Sequence, residues 1–211
     1  DKRCNIELLK EFMAVGVDRI DYTKGLIEKF LSVERFFEKF PDYIGRFTLV
    51  QIGAPSRTLI KSYSDMVSDV EEEAERINQR FKSKNWKPIL FLKGHHSHDQ
   101  INPYYKNADM CIVSSLHDGM NLVAKEFVAT RNENDGVLIL SRFAGASLDL
   151  TGALIINPYD IENSAIAIRN ALEMSISEQE SRMMQMRETI VGNNIYYWAS
   201  SLLRAMASIQ N

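Results

Sequence analysis

Residues 12–40 read FMAVGVDRIDYTKGLIEKFLSVERFFEKF. Phe12 to Val17 is apolar throughout and short, the signature of a buried strand. A polar loop follows, Asp18 to Gly25. Then Leu26, Phe30, Val33 and Phe37 recur at spacings of 4, 3 and 4, which places them on one face of a helix running from Lys24 to Phe40. Pro41 stands just past its end.

The same alternation continues along the chain. Strands are predicted at Phe47–Ile52, Pro88–Leu92, Met110–Ser114, Gly136–Leu140 and Ala153–Ile156. Helices are predicted at Thr58–Phe81, Gln100–Lys106 (interrupted near Pro103), Asn121–Thr130, Asn163–Met174, Glu178–Ile190 and Asn194–Met206. Uniformly apolar strands separated by helices imply an α/β fold, a Rossmann-like parallel sheet of about six strands with helices on both faces. No linker interrupts the pattern, so residues 1–211 form one domain. Ligands of such sheets bind at the carboxyl ends of the strands, which directs attention to the loops that follow them.

Composition narrows the partners. The 211 residues carry a formal charge of −3 with both signs interspersed, so nothing draws the whole chain to nucleic acid or membrane. An anionic ligand has to be met by a few placed cations. Cys4 and Cys111 lie far apart in no metal-type spacing and read as reduced thiols of a cytoplasmic protein. The chain opens on Asp1 without a Met, as expected of a fragment or a processed product.

Four loops can carry chemistry. In the first, Arg19 and Lys24 precede a helix N-terminus, where side-chain charge and helix dipole together suit a diphosphate; the alternative is plain surface charge. In the second, Ser114 to Glu126 (SSLHDGMNLVAKE), Asp118–Gly119 makes a tight turn into a helix whose free N–H groups can hold phosphate or sugar oxygens. Glu126, about two helical turns on, has the reach to accept from ribose hydroxyls. The alternatives are Asp118 as a helix cap and Glu126 as a surface acid. The third loop, GAPSR, offers Arg57 to a phosphate. The fourth gathers His95, His96 and His98, with His117 beside Asp118, but no acid or cysteine completes a metal-ligand spacing. No G-x-G-x-x-G follows the first strand, and neither a phosphate-binding P-loop nor a nucleophile elbow is present.

Together the segments VDRIDYTKG, LVQIGAPSR, YSDMVSDVEEEAERIN, HDGMNLVAKEFVA, GVLILSRFAGAS and ALIINPYD resemble the trehalose-6-phosphate synthase family of retaining glycosyltransferases with the two-lobed GT-B fold. The resemblance implies the C-terminal, donor-binding lobe. It implies transfer of glucose from UDP-glucose to glucose 6-phosphate, with no metal and no cofactor beyond the sugar nucleotide. On this likeness Arg19 and Lys24 hold the donor diphosphate, while Asp118 and the backbone of Gly119, Met120 and Asn121 face the glucose. Leu122, Val123, Ala124 and Lys125 extend toward phosphate and ribose, Glu126 holds the ribose, and Arg57 reaches the acceptor phosphate. Arg19, Lys24 and Asp118 are then the residues expected to act in catalysis. His96 stands near the base, where the family often has an aromatic, which leaves UDP, GDP and ADP open as donor carriers. The family's other lobe supplies most of the acceptor site, so this chain alone is expected to bind nucleotide sugar without turnover. A regulatory synthase-like subunit and a pseudoglycosyltransferase with another acceptor are the competing readings. An apolar face on the last helix would also allow self-association into a homo-oligomer.

Overall fold

The computed structural model describes residues 11–55, 61–193 and 195–209. Six strands form one sheet: β1 (Phe12–Ile20), β2 (Phe47–Pro55), β3 (Ile89–Lys93), β4 (Met110–Val113), β5 (Val137–Ser141) and β6 (Leu154–Ile156). Their order is β3-β2-β1-β4-β5-β6, and every pairing is parallel. The order reverses direction between β1 and β4, and there a crevice opens at the carboxyl edge.

The helices are α1 (Leu26–Lys39), α2 (Lys61–Phe81), α3 (His98–Asn107), α4 (Leu122–Thr130), α5 (Ile161–Leu172), α6 (Ile176–Gly192) and α7 (Ile195–Ile209). Alternation along β1 sorts them into two layers. Ala14 faces a core built with Phe30, Phe37, Val70, Ile77 and Ile168, from α1, α2 and α5. Met13 and Val15 face the other, with Tyr105, Phe127 and Met183, from α3, α4 and α6. The expected α/β class and helix-covered parallel sheet are what the chain forms.

Two local expectations change. β1 continues through Asp18, Arg19 and Ile20, because β2 pairs with it up to Pro55. Arg19 therefore stands on a strand end and not in a free loop. The helix around Pro103 is not interrupted. Proline removes one backbone donor there, yet α3 is held by buried Ile101, Tyr104 and Tyr105 and by the Gln100 side chain, which accepts from the Ser97 N–H at 2.9 Å. The Asn107 side chain closes the far end by donating to the Pro103 carbonyl at 2.7 Å. The predicted start of the second long helix at Thr58 lies outside the described residues.

Candidate donor site at the sheet's carboxyl edge

The connection from β1 to α1 is a tight Asx-stabilised turn. Asp21 accepts from the Thr23 N–H at 3.0 Å and from the Thr23 hydroxyl at 2.9 Å. This turn docks on the loop after β4. The Thr23 carbonyl accepts from the Leu116 N–H at 2.7 Å, and the Ser114 hydroxyl donates to the Gly25 carbonyl at 2.8 Å. Two loops distant in sequence are thereby fixed side by side.

Their side chains meet in one ion pair. Lys24 Nζ lies 2.6 Å from Asp118 Oδ2, with both side chains about 15% exposed. Asp118 also accepts from the Asn121 amide at 3.0 Å and the Met120 N–H at 3.4 Å. Burial pushes the Asp118 carboxyl up, but the hydrogen bond and charge of Lys24, with Asn121 and the Met120 N–H, hold it below the ordinary carboxylate range. A carboxyl lower in the folded than in the unfolded state adds stability above its unfolded value and loses it as pH falls through the folded one. Stability of Asp118→Asn should therefore fall less steeply than that of the wild type below about pH 4, in thermal melts followed by circular dichroism.

The helix cap is Asn121, not Asp118. Its backbone adopts φ 80°, which asparagine tolerates better than most residues. Its side-chain oxygen takes the Ala124 N–H at 2.9 Å. The Leu122 and Val123 N–H groups of the first turn have no acceptor within the helix. They open on a cleft of about 410 Å³ between β1 and α4, whose wall includes Arg19, Lys24, Asp118, Met120, Asn121, Leu122 and Val123. Helix dipole, Arg19 and Lys24 act in the same sense there, as an anion site requires.

The loop after β5 braces this cleft. Gly145 N–H donates to the Asp118 carbonyl at 2.9 Å, and Ala146 N–H donates to the Met120 carbonyl at 2.7 Å. Gly145 comes so close that a Cβ added to it would lie 2.1 Å from the Gly119 oxygen. Gly145→Ala is expected to displace the turn at Gly119, with a stability loss of about 1–3 kcal/mol, checked by thermal unfolding.

A profile of glycosyltransferase family 20 matches residues 3–208. The chain belongs to glycosyltransferase family 20. The trehalose-6-phosphate synthase of Sodalis glossinidius is 41% identical over 198 residues, covering 93% of this chain and 42% of that relative. A solved Escherichia coli structure, described as trehalose-6-phosphate bound with UDP-2-fluoro glucose, has a TM-score of 0.91 and 40% identity, covering 94% of this chain and 44% of that one. The UDP-forming α,α-trehalose-phosphate synthase of Burkholderia xenovorans in complex with glucose 6-phosphate has a TM-score of 0.91 and 38% identity, covering 96% and 44%. This family 20 chain thus spans less than half the length of these relatives.

Of the residues singled out in the sequence, the cleft brings together Arg19, Lys24, Asp118, Met120, Asn121, Leu122 and Val123. Gly119 lies beside it, in the turn that Gly145 braces. Ala124 is buried, its N–H taken by the Asn121 cap. Lys125 pairs with Asp149 at 3.1 Å. Glu126 accepts from the buried Tyr105 hydroxyl at 3.3 Å. His96 is half-buried after β3, its Nδ1 3.1 Å from the Gly94 carbonyl oxygen. Arg57 lies outside the described residues. Among the described residues no three His, Cys, Asp or Glu side chains converge as a metal would need.

Sequence reasoning passed over a buried cluster behind this family 20 cleft. Lys29 Nζ lies 2.7 Å from Asp18 Oδ2 and 2.9 Å from Gln51 Oε1. The signal was present: Lys29 sits in the apolar stripe between Leu26 and Val33, and Gln51 interrupts the run FTLVQI. A lysine on the buried face of a helix requires a partner.

Proposed function

We propose that this chain is the donor half of a retaining glucosyltransferase that moves glucose from UDP-glucose to glucose 6-phosphate, giving trehalose 6-phosphate. The observation that carries this reading is the convergence of Arg19, Lys24 and the N-terminus of α4 on one cleft at the switch point of the sheet. Breaking a sugar–diphosphate bond develops charge on the departing diphosphate. Fixed cations and backbone donors placed there stabilise it without reorganising. Arg19 and Lys24 supply that positive charge, so the reading requires no metal and no cofactor besides the sugar nucleotide. Asp118, held by Lys24, faces the glucose together with the backbone of Gly119 to Asn121. Leu122, Val123 and Lys125 extend toward phosphate and ribose, while Ala124, buried with its N–H on the Asn121 cap, only fixes the turn; Glu126 holds the ribose, and His96 lies toward the base. Arg57 is assigned to the acceptor phosphate. The remaining acceptor contacts come from the portion of the relatives that this chain does not span, so the chain alone binds donor without turnover.

Two features support the small-molecule reading. The UDP-2-fluoro glucose named for the Escherichia coli relative fits the cleft's demand for a diphosphate, and the glucose 6-phosphate named for the Burkholderia relative fits the acceptor assigned to Arg57. The reading carries with it a cytoplasmic enzyme that works on neither lipid nor nucleic acid, and among the described residues no helix is long and apolar enough to cross a membrane. The exposed Leu202, Leu203 and Met206 of α7 provide an apolar face for self-association into a homo-oligomer. The test is trehalose 6-phosphate formation by the full-length protein from UDP-glucose and glucose 6-phosphate. Product that disappears in Lys24→Ala supports the reading. Nucleotide-sugar binding without product, for any phosphorylated acceptor, would favour a regulatory subunit.

A further inference from the structure

The cleft wall includes a buried carboxylate that the donor reading does not use. Asp18, at the end of β1, is 7% exposed and lies beside Arg19 and Lys24 in the lining. Its Oδ2 accepts from Lys29 Nζ at 2.7 Å and from Gln51 Nε2 at 3.2 Å. Lys29 belongs to α1 and is 1% exposed. It reaches the sheet through space that Gly16 leaves open: a Cβ on Gly16 would lie 2.3 Å from Gln51 Oε1 and 2.7 Å from Lys29 Nζ.

The charges explain what this arrangement does. The cleft lining contains Arg19 and Lys24 against Asp18 and Asp118, which sums to zero. Lys24 and Asp118 neutralise one another. Arg19 has no ion-pair partner among the described residues, but an uncompensated Asp18 next to it in sequence would cancel its field over the cleft. Lys29 compensates Asp18 from behind the sheet and so makes the local sum more positive by one charge; Asp21, held by Thr23 in the adjoining turn, acts on Arg19 and Lys24 in either case. We infer that Lys29 is a positioning residue for the diphosphate: by neutralising Asp18 from within the core, it leaves Arg19 and the α4 N-terminus available to an anion. This rests on the cleft being the donor-diphosphate site.

UDP affinity and thermal midpoint, measured on the full-length protein, test it. Lys29→Met leaves Asp18 buried and unpaired, and UDP should bind at least about tenfold more weakly. Asp18→Asn/Lys29→Met restores the local charge sum, and its affinity should return to within about threefold of wild type even where its thermal midpoint does not. A purely structural role for Lys29 would leave both variants equally impaired. Should Lys29→Met fail to fold, the double variant decides alone: near-wild-type UDP binding supports the inference, and loss of binding contradicts it. A wild type that binds no UDP overturns the donor reading and this inference together. A wild type that binds UDP, with Lys29→Met unaffected or the double variant no better than Lys29→Met, overturns this inference only.

Discussion

Lys24→Ala is expected to cost roughly 2–5 kcal/mol of UDP-glucose binding, at least about thirtyfold in Kd. Lys24 acts twice in the cleft. It presents a cation to the diphosphate, and it pairs with Asp118 at 2.6 Å in a position only about 15% exposed. Removing it takes away the attraction and leaves a carboxylate facing an anionic ligand. Asp118→Asn added to Lys24→Ala should recover part of the loss, because it removes the uncovered charge without restoring the contact. The Lys24 side chain lies at the edge of the fold and not in either core, so thermal stability should change far less than affinity. Titration calorimetry and thermal unfolding on the same variants separate the two effects. Unchanged affinity in Lys24→Ala would mean that the cleft is not where the diphosphate sits.

The largest stability loss is expected from a single methyl group. Gly16→Ala places a Cβ where Gln51 Oε1 and Lys29 Nζ now stand, closer than real Cβ contacts come. Both atoms are the far ends of long side chains, but Gln51 is fully buried and Lys29 is tied to Asp18 at 2.7 Å, so moving them disturbs the cluster. The strand must shift or the Lys29–Asp18 pair must open, and opening a buried ion pair costs roughly 3–5 kcal/mol. Denaturant unfolding checks it through the midpoint, with an unchanged slope showing that only stability moved. A loss under about 1 kcal/mol would mean that the cluster is looser than its distances imply.

The parts legible in the sequence were those that depend on local periodicity. Phe12 to Val17, then Leu26, Phe30, Val33 and Phe37, announce strand and helix without help from distant residues, and the parallel sheet follows from their repetition. The turn into α4 was legible too, because Asp118, Gly119 and Asn121 lead directly into a helix. What escaped depends on contacts between residues far apart. The extension of β1 to Ile20 is decided by its pairing with β2. The bracing of Gly119 by Gly145 is a through-space approach with no local pattern. The pairing of Asp118 with Lys24, 94 positions away, is equally non-local, and it is Asn121, next to Leu122, that caps α4. Asp18, Lys29 and Gln51 come from three elements, so no local pattern joins them: Asp18 read as the start of a polar loop, and Lys29 and Gln51 only interrupt apolar runs. The hydrogen bond of Glu126 with the Tyr105 hydroxyl likewise joins α4 to α3 across 21 positions, with no local pattern to announce it.

The central claim, that this cleft is the donor-diphosphate site, is tested most directly by a crystal structure of the chain with UDP. The account predicts the diphosphate between Arg19 and Lys24, with its oxygens on the Leu122 and Val123 N–H groups at the head of α4. A diphosphate seated anywhere else on the molecule, with the cleft at β1 and α4 left empty, would contradict it.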